Sequence, residues 1–261
     1  MTSKPVFDIK TSTYKLSIQL SLNGFSFCIA SNENKIITFF EEKLEENHYN
    51  EQELLEKLKF LCSTKPELQA NFETVEFIFQ NELFTFVPLE YFDEENPKEY
   101  LKYSVKTLAT DFIAHDILPN TEVVNVFIPY VNINNYMVDT FGEFNYQHSS
   151  GLLTQYAINK STSDQEVIYL NVNQQQFDIC VVKNKKLLLF NSFIKSNNED
   201  VLYYLLFCME QLELSTEKIP VKILSTVPDD LFNLLYTYIR YIEKTSNPEN
   251  NLLHKLALNI P

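Results

Sequence analysis

The chain has 261 residues and a formal charge of −14, and 45% of its residues are apolar and 14% aromatic. That length and apolar content support one large domain or two intimate ones, and they exclude a disordered or fibrous protein. Average usage would give about 18 glycines, whereas this chain has three, Gly24, Gly142 and Gly151, so most glycine-dependent phosphate loops are excluded at once.

In residues 15–30, Leu16, Ile18, Leu20 and Leu22 alternate with polar positions, and Phe25, Phe27 and Ile29 resume the alternation after Asn23-Gly24. Alternation broken by Asn-Gly predicts a β-hairpin, because both turn residues tolerate positive φ. A polar turn at residues 31–34 leads to a third strand over 35–40. Residues 50–62 place Leu54, Leu55, Leu58 and Leu61 on one face, with acids in the first turn, and predict an amphipathic helix. The pattern then predicts a strand at 74–79 with its pairing partner at 83–87, a helix over 97–108, and a strand at 122–128 ended by Pro129. A helix at 133–141, a strand at 144–148 and a helix over 151–159 follow. The polar run 161–164 is the expected crossing between a first half, residues 1–160, and a second, residues 161–261.

The design then repeats. Ile168, Leu170 and Val172 alternate, residues 173–176 form a polar turn, and Phe177, Ile179 and Val181 resume the alternation; a third strand covers 186–190. Residues 25–30 match residues 177–182, with Cys28 at the place of Cys180. Two such meanders in one chain read as duplication of an ancestral half. Caps and acids at 196–200 start a helix over 201–212 that is apolar nearly all round, which predicts burial between layers. A strand at 221–225, a helix over 229–243 capped by Asp229-Asp230 after Pro228, and a short helix at 252–258 complete the chain.

Several function classes are disfavoured directly. The acidity is concentrated in residues 1–150, with 11 basic against 23 acidic side chains, and Arg240 is the single arginine. Such a surface repels a phosphate backbone, so no nucleic-acid partner is expected. Cys28, Cys62, Cys180 and Cys208 sit singly among apolar neighbours and read as small buried hydrophobes. The four histidines have no metal-ligand spacing, so no metal site is expected. Ser149-Ser150-Gly151 before a helix could present amides to an anion, but a helix cap explains it, and His148 beside Ser149 makes no nucleophile–base pair on adjacency alone. With no signal-peptide-like apolar run and no apolar stretch of membrane-spanning length, the expectation is a cytoplasmic protein without a membrane span.

Three meander strands, a helix, a strand and a helix, given twice, is the pattern of the actin-like ATPase superfamily, which includes Hsp70 and the sugar kinases. More narrowly, the chain resembles uncharacterised Bacteroidota proteins of a domain-of-unknown-function family with an actin-like ATPase fold. The residues that carry this are LSIQLSLNGFSFCI at 16–29, and Phe190-Asn191-Ser192-Phe193 through Glu199-Asp200 and Tyr203-Tyr204 to Glu210-Gln211-Leu212. The resemblance spans roughly residues 15–242. It implies a duplicated, ribonuclease H-like α/β fold with mixed sheets, whose two similar halves face a cleft that in the superfamily holds ATP.

The resemblance also implies where the chemistry should be. The first meander turn of the superfamily carries an acid and a glycine for Mg²⁺ and phosphates; here it is Leu22-Asn23-Gly24-Phe25, with no carboxylate. The second turn, residues 171–176, has neither acid nor glycine, and strand alternation puts nearby Asp178 opposite the apolar set. The adenosine segment, residues 224–228, lacks its glycine pair. Without glycine, backbone amides cannot close on phosphate oxygens, and without a carboxylate the metal has no anchor. The leading expectation is a non-catalytic pseudo-ATPase, a cytoplasmic scaffold or assembly partner, with no cofactor and no catalytic residues. Its partner would be an unidentified protein or a second copy of the chain. Two rival expectations stand beside it. One is an ATP-binding phosphotransferase or ATPase in which Ser21, Asn23, Gly24, Asn171 and Asn173 meet ATP and Mg²⁺. The other is a binder of a small molecule or peptide in the cleft.

Overall fold

The computed structural model describes residues 13–21, 24–44, 50–108, 110–162, 164–245 and 251–260. The alternation at the start of the chain becomes a meander of β1 (Thr13–Ser21), β2 (Gly24–Ser31) and β3 (Ile36–Lys43). Helix α1 (Glu51–Thr64) follows, begun by a capping box in which Asn50 and Glu53 satisfy each other's backbone N–H. Strand β4 (Asn71–Gln80) then runs parallel to β1. Next come β5 (Phe84–Pro88), α2 (Lys98–Leu101), β6 (Ala114–Ile117), β7 (Val123–Phe127), α3 (Val131–Phe141), β8 (Asn145–His148) and α4 (Ser149–Lys160). The second half contains β9 (Val167–Val172), β10 (Gln176–Lys183), β11 (Lys186–Ile194), α5 (Asn198–Gln211), β12 (Val221–Ile223), α6 (Asp229–Tyr238), β13 (Ile242–Lys244) and α7 (Leu252–Ala257).

The two large sheets have one plan. Their strand orders are β3-β2-β1-β4-β8 and β11-β10-β9-β12-β13, each an antiparallel meander continued by two parallel strands. The register repeats as well. Ser17 pairs with Cys28 as Tyr169 pairs with Cys180, and the row Gln19–Ser26–Glu41 corresponds to Asn171–Asp178–Ser192. Even the irregularity is shared: a register shift falls between Ile29 and Ala30 in β2 and between Val181 and Val182 in β10, at matching positions. α5 repeats the capping box of α1, with Asn197 and Asp200 in the two roles.

Alternation divides each sheet into two faces. Leu16, Ile18, Phe25, Phe27 and Phe77 pack outward against α1 and α3, while Leu170, Phe177, Ile179 and Val181 pack against α5 and α6. The opposite faces look toward each other across α4 and α7, where Ile78, Leu153, Ala157, Tyr169, Cys180 and Ala257 form a third core. All four cysteines are buried, and none of them forms a disulfide.

Five sequence expectations are corrected. The 83–87 strand does not pair with β4; β5 joins β7, in a separate antiparallel sheet of order β5-β7-β6. The 97–108 helix stops at Leu101, because Tyr103 and Leu108 are exposed and give a longer helix nothing to bury against. The 229–243 helix ends at Tyr238 and gives way to β13, while β6 had no expectation at all. The helix between the layers is α4, not the 201–212 helix: α5 buries Val201, Leu205, Cys208 and Met209 but leaves Tyr203 and Phe207 exposed. Finally, Gly24 is not a turn residue. It is the first residue of β2 and pairs with Ser21, while Asn23 lies outside the described residues.

Candidate functional site

The two meander hairpins meet at a cleft of about 580 Å³ between the sheets. From the first sheet it is lined by Gln19, Ser21, Gly24, Ser26 and Gln80, and from the second by Asn171, Asn173, Gln174 and Gln176. Residues 225–228, after β12, form a further wall, and Leu252 and Leu253 of α7 close the base. Thus Ser21, Gly24, Asn171 and Asn173, singled out from the sequence, do converge; Asn23 lies outside the described residues. Gln19, Gln80 and Lys195 lie outside the segments that the resemblance marks, whereas Gln176 and Ser225 fall within them, in 171–176 and 224–228. The internal repeat could have found Gln19, since it is the counterpart of Asn171.

The hairpins correspond residue by residue: Ser21 matches Asn173 and Gly24 matches Gln176. Ser21 pairs with Gly24, and Asn173 N–H donates to the Gln176 carbonyl at 2.8 Å. Gly24 has no positive φ. Its constraint is contact, because a Cβ there would stand 3.1 Å from the Glu42 carbonyl oxygen of β3.

Asp178 is the one acid on the inner face of the second meander, and it is occupied. Asn171 Nδ2 donates to Oδ2 at 3.1 Å and Ser192 Oγ donates to Oδ1 at 2.5 Å. Burial raises its pKa, against the lowering effect of those hydrogen bonds and one from Gln176. Across the cleft its counterpart is Ser26, whose Oγ lies 2.9 Å from Nε2 of His254 on α7; the other ring nitrogen lies 2.9 Å from Ser17 Oγ. Burial depresses the His254 pKa to about 3, so the imidazole is neutral. Ser225 Oγ accepts from Val172 N–H at 2.7 Å, fixing the 225–228 wall to β9. The carboxylates that line the cleft, Glu41 and Glu42, belong to β3 and sit with Lys43 and Lys195. Among the described residues no group of three or more His, Cys, Asp or Glu could hold a metal ion.

Two further places matter. His148 caps α4: its Nδ1 lies 2.7 Å from Ser150 Oγ and also accepts from Ser150 N–H. Asn125 Nδ2 donates to the same Ser150 hydroxyl, and both His148 and Ser150 are buried, so the Ser–His pair is a cap without access for a substrate. An open groove of about 1720 Å³ is larger than the cleft. Its walls are β5 and β11, each an edge strand of its own sheet, and Phe84, Phe86 and Phe190 meet across it at 5.3–5.6 Å.

The sheet order, the repeated register and this cleft together specify the actin-like fold. A family profile described as "Protein of unknown function (DUF3822)" matches residues 4–242. The chain belongs to this family. Among curated proteins none matches it. The family assignment agrees with a solved structure from Bacteroides thetaiotaomicron, a protein with actin-like ATPase fold and unknown function. That protein is 26% identical, with a TM-score of 0.84 over 97% of this chain and 99% of that one. The chain is also similar in fold to the PilM–PilN type IV pilus biogenesis complex, at 13% identity and TM-score 0.63 over 94% and 97% of the two chains. A third likeness is to the cytoplasmic domain of EpsL, an inner membrane component of the type II secretion system of Vibrio cholerae, at 12% identity and TM-score 0.52 over 95% and 96%. Among the described residues no helix is long and apolar enough to cross a membrane.

Proposed function

We propose that this member of the DUF3822 family is a non-catalytic actin-like scaffold that works in the cytoplasm by holding a protein partner. The observation that carries the reading is the pair of meander hairpins. Where the superfamily places acid and glycine, the cleft presents Ser21, Gly24, Asn171, Asn173 and Gln176, and Asp178 already has partners for both oxygens. Gly24 is engaged by close packing on β3. A partner surface is available in the groove between β5 and β11, whose unpaired strand edges suit a polypeptide and whose volume exceeds the range of small-molecule sites. The likeness to the PilM–PilN type IV pilus biogenesis complex supports the same reading at the level of fold analogy. We take residues 1–160 and 161–261 as the two halves, on the strength of the repeated sheet order.

One observation favours a second reading, an ATP-dependent enzyme with altered contacts: Ser21, Asn171 and Asn173 do line one cleft. A thermal-shift series with ATP, ADP and GTP, each with Mg²⁺, separates the two. The scaffold reading expects no stabilisation at submillimolar nucleotide; a reproducible rise in Tm overturns it. The partner half is tested by capture from cell extract with the native chain and with Leu188→Glu, on the exposed edge of β11. A specific partner should be lost with the variant. Light scattering after size exclusion decides whether that partner includes a second copy.

A further inference from the structure

The lining of the cleft points to a ligand chemistry of its own. Seven amide side chains line it, among them Gln19 and Gln80 from the first sheet and Asn171, Asn173 and Gln176 from the second, joined by the hydroxyl of Ser225; Gln19 Nε2 donates to Gln80 Oε1 at 2.7 Å. The charged side chains in the lining are Glu41 and Glu42 against Lys43 and Lys195, two of each sign, and the single arginine is not among the lining residues. A triphosphate would therefore meet no net positive charge, and the carboxylate of Asp178 is already bonded to Asn171 and Ser192.

Asn173 supplies the sharper observation. Its Nδ2 is buried and has no hydrogen-bond partner among the described residues. A donor left open in this way is available to an acceptor oxygen of a ligand or a water beside the half-buried Asn173 side chain. Primary amides both donate and accept, so a wall of them matches a molecule whose groups do the same, which is the property of hydroxyls. Val227, Leu231 and Leu253 add an apolar face on which C–H groups can rest, and a cavity of about 580 Å³ falls within the ordinary range for small ligands.

We propose that the cleft binds a neutral polyhydroxylated molecule of mono- to disaccharide size, held by the amides of Asn171, Asn173 and Gln176 against those of Gln19 and Gln80, and that it rejects phosphorylated ligands. This site is separate from the β5–β11 groove, so its failure would leave the scaffold reading intact, and the loss of a protein partner would not touch it.

The experiment titrates the full chain with glucose, galactose, N-acetylglucosamine, inositol, maltose and trehalose, and with glucose phosphate and Mg–ATP as charged counterparts. Heteronuclear NMR follows the side-chain amide resonances. At least one neutral compound should bind with a Kd below about 10 mM and shift the Asn173 and Gln176 amides. Asn173→Ala and Gln176→Ala should each weaken that binding by about tenfold or more, with an unchanged circular dichroism spectrum. If either variant fails to fold, the resonance shifts in the native chain decide. The proposal is overturned if none of the neutral compounds moves those amides, if the shifts lie outside the cleft, or if the phosphorylated compounds bind more tightly.

Discussion

His254 ties the C-terminal helix to the first sheet through one imidazole and two serines. Both ring nitrogens are engaged and the ring is fully buried, so a proton on it would leave a charge without a partner. Its pKa of about 3, against an ordinary 6.5, sets the sign of the pH dependence. Below pH 6.5 the unfolded chain takes up a proton that the folded chain refuses, so stability falls as pH falls from 6.5 toward 3. His254→Gln removes that proton site but keeps a polar group. The stability difference between native chain and variant should therefore narrow by about 2 kcal/mol between pH 8 and pH 5, measured by urea unfolding at each pH. His148 and Asp178 are present in both chains and cancel; a difference constant with pH would show that His254 does not titrate as described. At Gly142 the constraint is backbone: it ends α3 at φ +77°. Gly142→Ala should cost about 1 kcal/mol, read as a lower urea midpoint at unchanged slope.

Elements were legible wherever one periodicity ran long enough. The strands of both meanders follow from alternation, α1 follows from its first-turn acids and one-sided apolar spacing, and α5 from its caps and its apolar run. What failed was the short and the tertiary. β6 has four residues and β13 three, too few for a period to register, and β13 sits where apolar residues continue the α6 pattern. The assignment of the central helix failed for a different reason. Apolar content suggested α5, but α4 is the one that fits between two sheets, because Ser149, Ser150, Gly151, Thr154 and Ala157 are small enough to let strands approach from both sides. In the cleft, the plan of the fold marks the hairpin residues but not Gln80, at the end of β4, or Lys195, just after β11, because both lie outside the two meander turns. The shared capping boxes give an element-scale test of the duplication. Asn50→Ala and Asn197→Ala should each cost about 1 kcal/mol, since each removes a side-chain acceptor from the N3 amide of its helix. Near-equal losses in urea midpoint are expected; a loss at one helix alone would mean that only one cap supports the fold.

The molecule as a whole is two similar sheets joined through α4 and α7. α4 leaves the first sheet after β8 and packs on β10 and β11, whereas α7, at the end of the chain, returns to β1 and β4. Each half thus places a helix against the other's sheet, and the cleft lies at one end of that shared layer, with Leu252 and Leu253 in its base. If this layer makes the halves one cooperative unit, a fault in it should uncouple them, whereas a fault in an outer core should weaken the whole chain without changing its cooperativity. Ala257→Asp puts a carboxylate among Leu153, Tyr169, Leu224 and Leu253, where burial opposes its charge. Leu205→Ala opens a cavity between α5 and the second sheet and should cost about 2–5 kcal/mol. In urea, Leu205→Ala should keep a single transition at a lower midpoint. Ala257→Asp should broaden or split the transition and lower its apparent slope, because the halves then unfold at different denaturant concentrations. A single sharp transition in Ala257→Asp, displaced no further than in Leu205→Ala, would mean that the contact between the halves does not depend on the α4–α7 layer.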